Sequence, residues 1–314
     1  MFNFSGVINY IIEIFSGVIF ILVVIFFFLF VFFFVLIERK LLGVCQSRLG
    51  PQKVSFLGLL QSLADFIKLL GKINSTFGAK GVTKYRYIFY WLGVLYFFLS
   101  AIFFLSLFIK SFMTTGLCSF GICWFIVFSS LSGYGFLLCG WGSTSKYSLY
   151  GTMRAGFSGI SFEGVLMCVV LALGLIVGSY SFYSLNNGYS LSILGILVLY
   201  LLSIIGAMCE CNRSPFDFSE SESDLVSGFN TDYYGASFAI LFACEYAIMV
   251  FFCWLLSYFF WGSGLNILVM FVHSFILIFV RACFPRIRYD YFVSLVWKGL
   301  YVLFFFLSLI SLLC

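Results

Sequence analysis

Charge is scarce in this chain, and each shortage removes a class of function. Only 9% of its 314 residues are Asp, Glu, Lys or Arg, against 63% hydrophobic, well outside the range of a soluble domain. No polar stretch is long enough to fold alone, so residues 1–314 read as a single integral-membrane domain. The one histidine, His273, has no acidic or cysteine neighbours in sequence and reads as a packing or hydrogen-bonded residue. Eleven cysteines occur without any Cys-x-x-Cys pair, and Cys209 and Cys211 point to different sides of a helix. That pattern argues against zinc and iron–sulfur ligation and for small packing residues. No glycine-rich loop follows a strand, so no NADH or ATP site is marked. A Ser–His–Asp set and a paired-metal arrangement are also missing, and nucleic acid is not an expected partner.

What is present is mostly membrane. Eight apolar segments fall at about 7–37, 87–109, 116–140, 154–178, 188–210, 235–259, 262–281 and 291–313, each near the roughly 20 residues that cross a bilayer. The expected fold is therefore all-α and polytopic. Met1–Ser5 is uncharged and the apolar run after it is too long for a signal peptide, so no cleavable leader is expected. The surplus of Phe and Tyr, with few His and Pro, suggests a T-rich coding sequence such as some mitochondrial genomes carry. Most cations gather in the loops after the odd-numbered spans: nine between Arg39 and Arg86, then Lys146, Arg154, Arg213, Arg281, Arg286 and Arg288. The positive-inside rule puts those loops on the matrix or cytoplasmic side and both termini opposite. Contact with anionic lipid is a second reading of the basic loop.

Half of the twelve acids sit in or just beyond ECNRSPFDFSESESD (210–224): Glu210, Asp217, Glu220, Glu222, Asp224 and then Asp232. Arg213 is the only cation inside the run, so local pairing cannot neutralise it. Crowded, partly desolvated acids hold and exchange protons near neutral pH; a solvated acidic loop is the bland alternative. Glu163 and Glu245 lie deep within their spans, where charge is costly and usually functional. Glu13 lies near the outer end of the first span and reads as interfacial. In SFLGLLQSLADFIKLLGK (55–72), Gln61, Asp65, Lys68 and Lys72 draw one polar stripe on an otherwise apolar helix, too short and charged to span. It is expected to lie along the membrane surface, either as a plain anchor or as the border of an opening for an amphiphile arriving from the bilayer.

Five inner-side segments, taken together, resemble the mitochondrial NADH–ubiquinone oxidoreductase chain 1 family, which also has bacterial members. They are ERKLLGVCQSRLGP (38–51), GLLQSLADFIKLLGK (58–72), GWGSTSKYSLYGTMRA with ISFE (140–155, 160–163), the stretch from Glu210 to Tyr246, and RACFPRIRYDYFVSLVWK (281–298). They occur in the family's order and cover nearly all the polar sequence. Departures are Cys209-Glu210-Cys211 for Ala-Glu-Thr, Ser221 for Gly, Phe162 for Tyr, Asp224 and Asp232 for Glu, and Ser62 for Pro.

The resemblance implies a subunit at the elbow of respiratory complex I in the mitochondrial inner membrane. It would form part of the ubiquinone tunnel and couple quinone reduction to proton translocation. It implies Arg39, Lys40, Asp65, Phe229 and Arg281 at the tunnel. Glu163, Glu210, Asp217, Glu220, Glu222, Asp224 and Glu245 would form a proton relay, with Arg154 and Arg213 as orienting cations. Snorkelling anchors are the bland reading of each cation. Ubiquinone would be a bound substrate, with no metal, flavin or iron–sulfur cluster in this chain. The partners would be the other membrane-arm subunits, the quinone-side iron–sulfur and peripheral-arm subunits, and lipid. Two other classes remain open: the anchor of an energy-converting hydrogenase, and a proton or ion transporter that uses no quinone.

Overall fold

The computed structural model describes residues 4–72, 84–112, 120–182, 193–219, 228–233, 235–261 and 266–301, with backbone alone at 4–16, 18, 84, 110–112, 193–196 and 266–267. The described residues are helical with no strand. The helices are α1 (Phe4–Cys45), α2 (Gln61–Leu70), α3 (Lys84–Phe112), α4 (Gly121–Gly142), α5 (Lys146–Val177), α6 (Ile193–Glu210), α7 (Gly235–Trp261), α8 (Asn266–Cys283) and α9 (Tyr289–Leu295). A π-helical turn, Val296–Leu300, continues α9. Five helices (α1, α3, α4, α5 and α7) are long and apolar enough to cross a membrane, and α6 and α8 contain shorter apolar stretches. The protein is an all-α polytopic membrane protein. Most of the expected eighth span, and the acids Glu220, Glu222 and Asp224, lie outside the described residues, as does the side chain of Glu13.

The helix α7 is the axis of the bundle. It is apolar around its whole circumference, the pattern of a helix surrounded by others, and 89% of its most apolar window is buried, against 22% for α1. Helices α1, α2, α3, α6 and α8 all pack on it. One hydrogen bond near each end ties it in place: Tyr90 Oη to Ser237 Oγ at 2.6 Å, and Tyr258 Oη to the Phe182 carbonyl at 2.7 Å. Helix α1 instead leaves Ile21, Leu22, Ile25 and Phe26 exposed, a surface suited to lipid.

Lipid tails are as apolar as leucine, so close backbone approach and packing must hold membrane helices together. Glycine supplies that approach between α3 and α4, where a Cβ on Gly93 would come within 2.6 Å of Cys139. The same device seats the 228–232 turn against α5: a Cβ on Gly151 would lie 2.7 Å from the Phe229 nitrogen. Helix α5 starts at Lys146, eight residues before the expected span, because Ser145 caps it by accepting from Ser148 N. It ends at Gly178, whose φ of 75° suits glycine.

Two further differences bear on function. Helix α1 runs to Cys45, about 12 Å past the expected end at 37, since Glu38-Arg39-Lys40-Leu41-Leu42 are good helix formers. The interfacial helix is shorter than the 55–72 stripe suggests. Ser55 (φ 62°), Leu57 (φ 57°) and Gly58 (φ 72°) adopt left-handed backbone, so its first part is a turn at Phe56–Gly58. Lys40 Nζ donates to the Leu57 carbonyl at 2.6 Å and pins that turn to α1.

Candidate functional site: a groove joined to a buried charge network

Helices α1, α2 and α7 enclose a groove of about 210 Å³. Its walls are Val31, Phe32 and Val35 from α1, Phe66 and Leu69 from α2, and Phe238, Ala239, Phe242 and Ala243 from α7. Among the described residues, only Arg39, Ser62 and Asp65 bring polar side chains to it. Arg39 Nη1 and Asp65 Oδ2 pair at 2.6 Å, and Gln61 Nε2 donates to the other Asp65 oxygen at 3.0 Å. Asp65 thus turns to α1 while staying partly exposed, and Ile67 and Leu70 are exposed as well. The helix presents its groove face at positions 62, 65, 66 and 69, the i, i+3, i+4, i+7 spacing of one side.

A charge network begins beside the groove on α1 and α7 and draws in Arg281 of α8 and Arg213 from the segment after α6. Glu38 is buried on the α1 face that carries Val31, Phe34 and Val35, and it receives Arg281 Nη1 from α8. Arg213 lies over the Tyr246 ring, 4.4 Å from its centroid, and its Nη2 is 4.0 Å from Glu245 Oε2. Tyr246 feels Glu38, Arg213 and Arg281 together, so the five side chains form one group. Phe242 from the groove wall meets Tyr246 at 4.9 Å between ring centres.

A second pair of acids stands further along. Glu163, near the middle of α5, and Glu210, the last residue of α6, lie on two helices that pack together. Glu210 Oε1 is buried and meets no hydrogen-bond partner among the described residues. Cys211, the residue after Glu210, is buried as well.

A profile of the NADH dehydrogenase family matches residues 18–312. NADH-ubiquinone oxidoreductase chain 1 of Aedes aegypti is 37% identical over 287 residues, covering 87% of this chain and 89% of that protein. The proteins of the same name from Metridium senile and Dictyostelium citrinum are 36% and 34% identical, covering 84% and 88% of this chain and 82% and 87% of theirs. The chain belongs to the NADH dehydrogenase family.

In this NADH dehydrogenase family member the expected site residues fall into separate places. Arg39 and Asp65 meet at the groove, with Lys40 next to Arg39 on α1, where it holds the Phe56–Gly58 turn. Arg281, Arg213 and Glu245 join the charge network. Phe229 does not reach the groove: its ring packs edge-on against Phe136 and Tyr233 in the core, and its carbonyl accepts from Ser148 Oγ. Arg154 is half-buried and acts on Tyr289. Asp217 is not left unneutralised within its run, because Arg286 Nη2 reaches it at 3.0 Å from the 284–288 loop. Asp232 accepts from Thr144 N, Thr144 Oγ1 and Ser145 N at 2.7–3.0 Å and so fixes the turn between α4 and α5. His273 is buried with Nε2 3.0 Å from Tyr200 Oη. Among the described residues no three His, Cys, Asp or Glu side chains converge to hold a metal ion.

From sequence Glu38 reads only as one of the polar groups Glu38-Arg39-Lys40 that end the first span beside the groove, and Tyr246 does not read as part of the site. The signal for Glu38 was its position seven residues after Val31 and three after Val35, on one helical face. That face carries no mark in a helix made almost wholly of Phe, Val, Leu and Ile.

Proposed function

We propose that this chain is the membrane subunit of NADH–ubiquinone oxidoreductase that admits ubiquinone from the bilayer and links its reduction to proton movement. One observation carries the reading: an apolar groove between α1, α2 and α7 is continuous, on α1 and α7, with a buried network of acids and arginines. A polyisoprenoid tail is satisfied by Phe, Val and Leu walls, while the headgroup needs a few placed polar groups. The groove's volume lies below that of a complete drug-sized pocket, which fits a portal better than an enclosed site. Arg39, Lys40 and Asp65 set its polar rim, and Arg281 orients Glu38 behind it. The protons that reduction takes up stay on the quinol, and Glu245, Glu210 and Glu163 form a separate relay between the inner surface and mid-membrane. Asp217, and beyond the described residues Glu220, Glu222 and Asp224, supply that path from the inner surface. Arg213 holds the Glu245 end and Arg154 the inner end of α5.

The chain would carry no redox cofactor of its own. Electrons would come from iron–sulfur subunits of the peripheral arm docked on the inner loops, with the other membrane-arm subunits beside it. It would sit in the mitochondrial inner membrane as one domain with both termini in the intermembrane space. The exposed thiols of Cys45 and Cys283 end α1 and α8, the helices that carry Glu38 and Arg281. An impermeant maleimide should therefore label both from the matrix side only; labelling of either from the opposite side of sealed vesicles would reverse the orientation.

The portal has its own test. Leu69 is half-buried on the groove face of α2, so Leu69→Trp should obstruct the passage while leaving the helix intact. Reduction of full-length ubiquinone should fall several-fold more than that of a short-alkyl analogue, with NADH oxidation by an artificial acceptor retained. Equal loss for both quinones would remove the lateral portal. Ala64, although on the same helix, is exposed and does not line the groove, so Ala64→Trp serves as the control.

A further inference from the structure

Ser62 has an uncommitted hydroxyl in a groove whose other polar side chains are engaged. Its residue is 6% exposed, it lines the groove between α1, α2 and α7, and its Oγ is buried without a hydrogen-bond partner among the described residues. A buried hydroxyl left unmade costs about 1–3 kcal/mol, so such an atom points to a partner that comes and goes. Neither neighbouring polar side chain meets that hydroxyl in the structure. Arg39 and Asp65 are engaged with each other, and the remaining Asp65 oxygen accepts from Gln61.

We infer that Ser62 is a specificity contact at the portal, its Oγ–H donating to a carbonyl or methoxy oxygen of a benzoquinone headgroup moving between α1 and α2. The inference rests on the portal reading above. An oxidised quinone headgroup carries oxygen acceptors and no donor, which matches the free hydroxyl on the wall. Its isoprenoid tail has neither and would occupy the Phe and Leu surface. A departing quinol reverses the roles, its phenolic O–H donating to a lone pair of the same Oγ. The contact therefore serves both directions and distinguishes a quinone from a lipid chain, which offers no polar group at that depth.

Such a contact binds the substrate in transit and not in the transition state, so its loss should appear in KM and not in kcat. In the assembled complex, Ser62→Ala should raise KM for full-length ubiquinone roughly 2- to 10-fold, the range of one ordinary hydrogen bond, and Ser62→Thr should restore most of it. A merely structural Ser62 predicts the opposite pattern, since deleting an unsatisfied buried hydroxyl leaves KM alone and the complex at least as stable. An unchanged KM in Ser62→Ala, with Leu69→Trp still obstructing long-tailed quinone, would overturn this assignment and leave the portal standing. Failure of Leu69→Trp to obstruct would overturn both.

Discussion

Glu210→Gln is expected to slow quinone-linked turnover on the order of 10²-fold, the loss that accompanies removal of one positioned proton-transfer group. The amide keeps the size and polarity of the side chain but cannot take up and release a proton. Glu163→Gln should give a similar loss. The double variant should be little worse than either alone, because groups that act as a unit are not additive. Neither substitution alters the electron path through the partner subunits, so NADH oxidation by an artificial acceptor should be retained. Asp217→Asn should cost much less, since Asp217 is already held by Arg286 and lies nearer the surface. Measurement of quinone reductase against artificial-acceptor activity in the same membranes decides the matter. Parallel loss of both activities, or equal effects at Glu210 and Asp217, would remove the relay.

The contrast between these acids shows where the sequence was a sound guide and where it was not. The helical class follows from composition. Inner clustering of acids and cations is plain in the sequence, and so is the depth of Glu245, ten residues into α7. What sequence could not provide is which acid meets which cation. Arg286 is 69 residues from Asp217, and Arg281 is 243 from Glu38. The sense of "unneutralised" therefore changed once the chain was folded: a run with one local arginine proved to draw a second from another loop. Asp232 changed character for the same reason, becoming the anchor of a distant turn.

Periodicity marked the amphipathic helix α2 but not which neighbour its polar stripe would meet. A stripe of Gln61, Asp65, Lys68 and Lys72 ordinarily marks the wet face of a surface helix. Here Arg39 of α1 pairs with Asp65 within that stripe, both side chains staying partly exposed, and the apolar Ile67 and Leu70 are exposed too. A helix lying on a bilayer has two acceptable apolar surroundings, protein and lipid, so an apolar pattern cannot say which side faces which. The same ambiguity hid the burial of Glu38, whose face differs from the lipid face of α1 only in what packs on it.

That buried acid and its arginine carry the other large effect. Glu38 has 3% of its side chain exposed and Arg281 29%, so Arg281→Met would leave a carboxylate in an apolar setting with its principal partner gone. Removing one member of a buried ion pair costs about 3–5 kcal/mol, a large share of the ~5–15 kcal/mol that holds a typical domain together. The expected result is loss of most assembled complex, seen as depletion of the intact band on native gels and a lowered melting temperature. Adding Glu38→Gln should recover much of the assembly, because replacing both charges by uncharged groups of similar volume is often nearly neutral. The double variant then separates two roles that the single one confounds. If Arg281 only balances Glu38, turnover should recover together with assembly. If Arg281 and Glu38 also order the polar end of the groove for an arriving headgroup, assembly should return while quinone-linked turnover stays low and artificial-acceptor activity is normal. The second outcome is the one expected here, since the pair stands between the groove walls at Val35 and Phe242 and the Arg213–Glu245 group. Full recovery of turnover in Glu38→Gln/Arg281→Met would reduce the pair to a structural clamp.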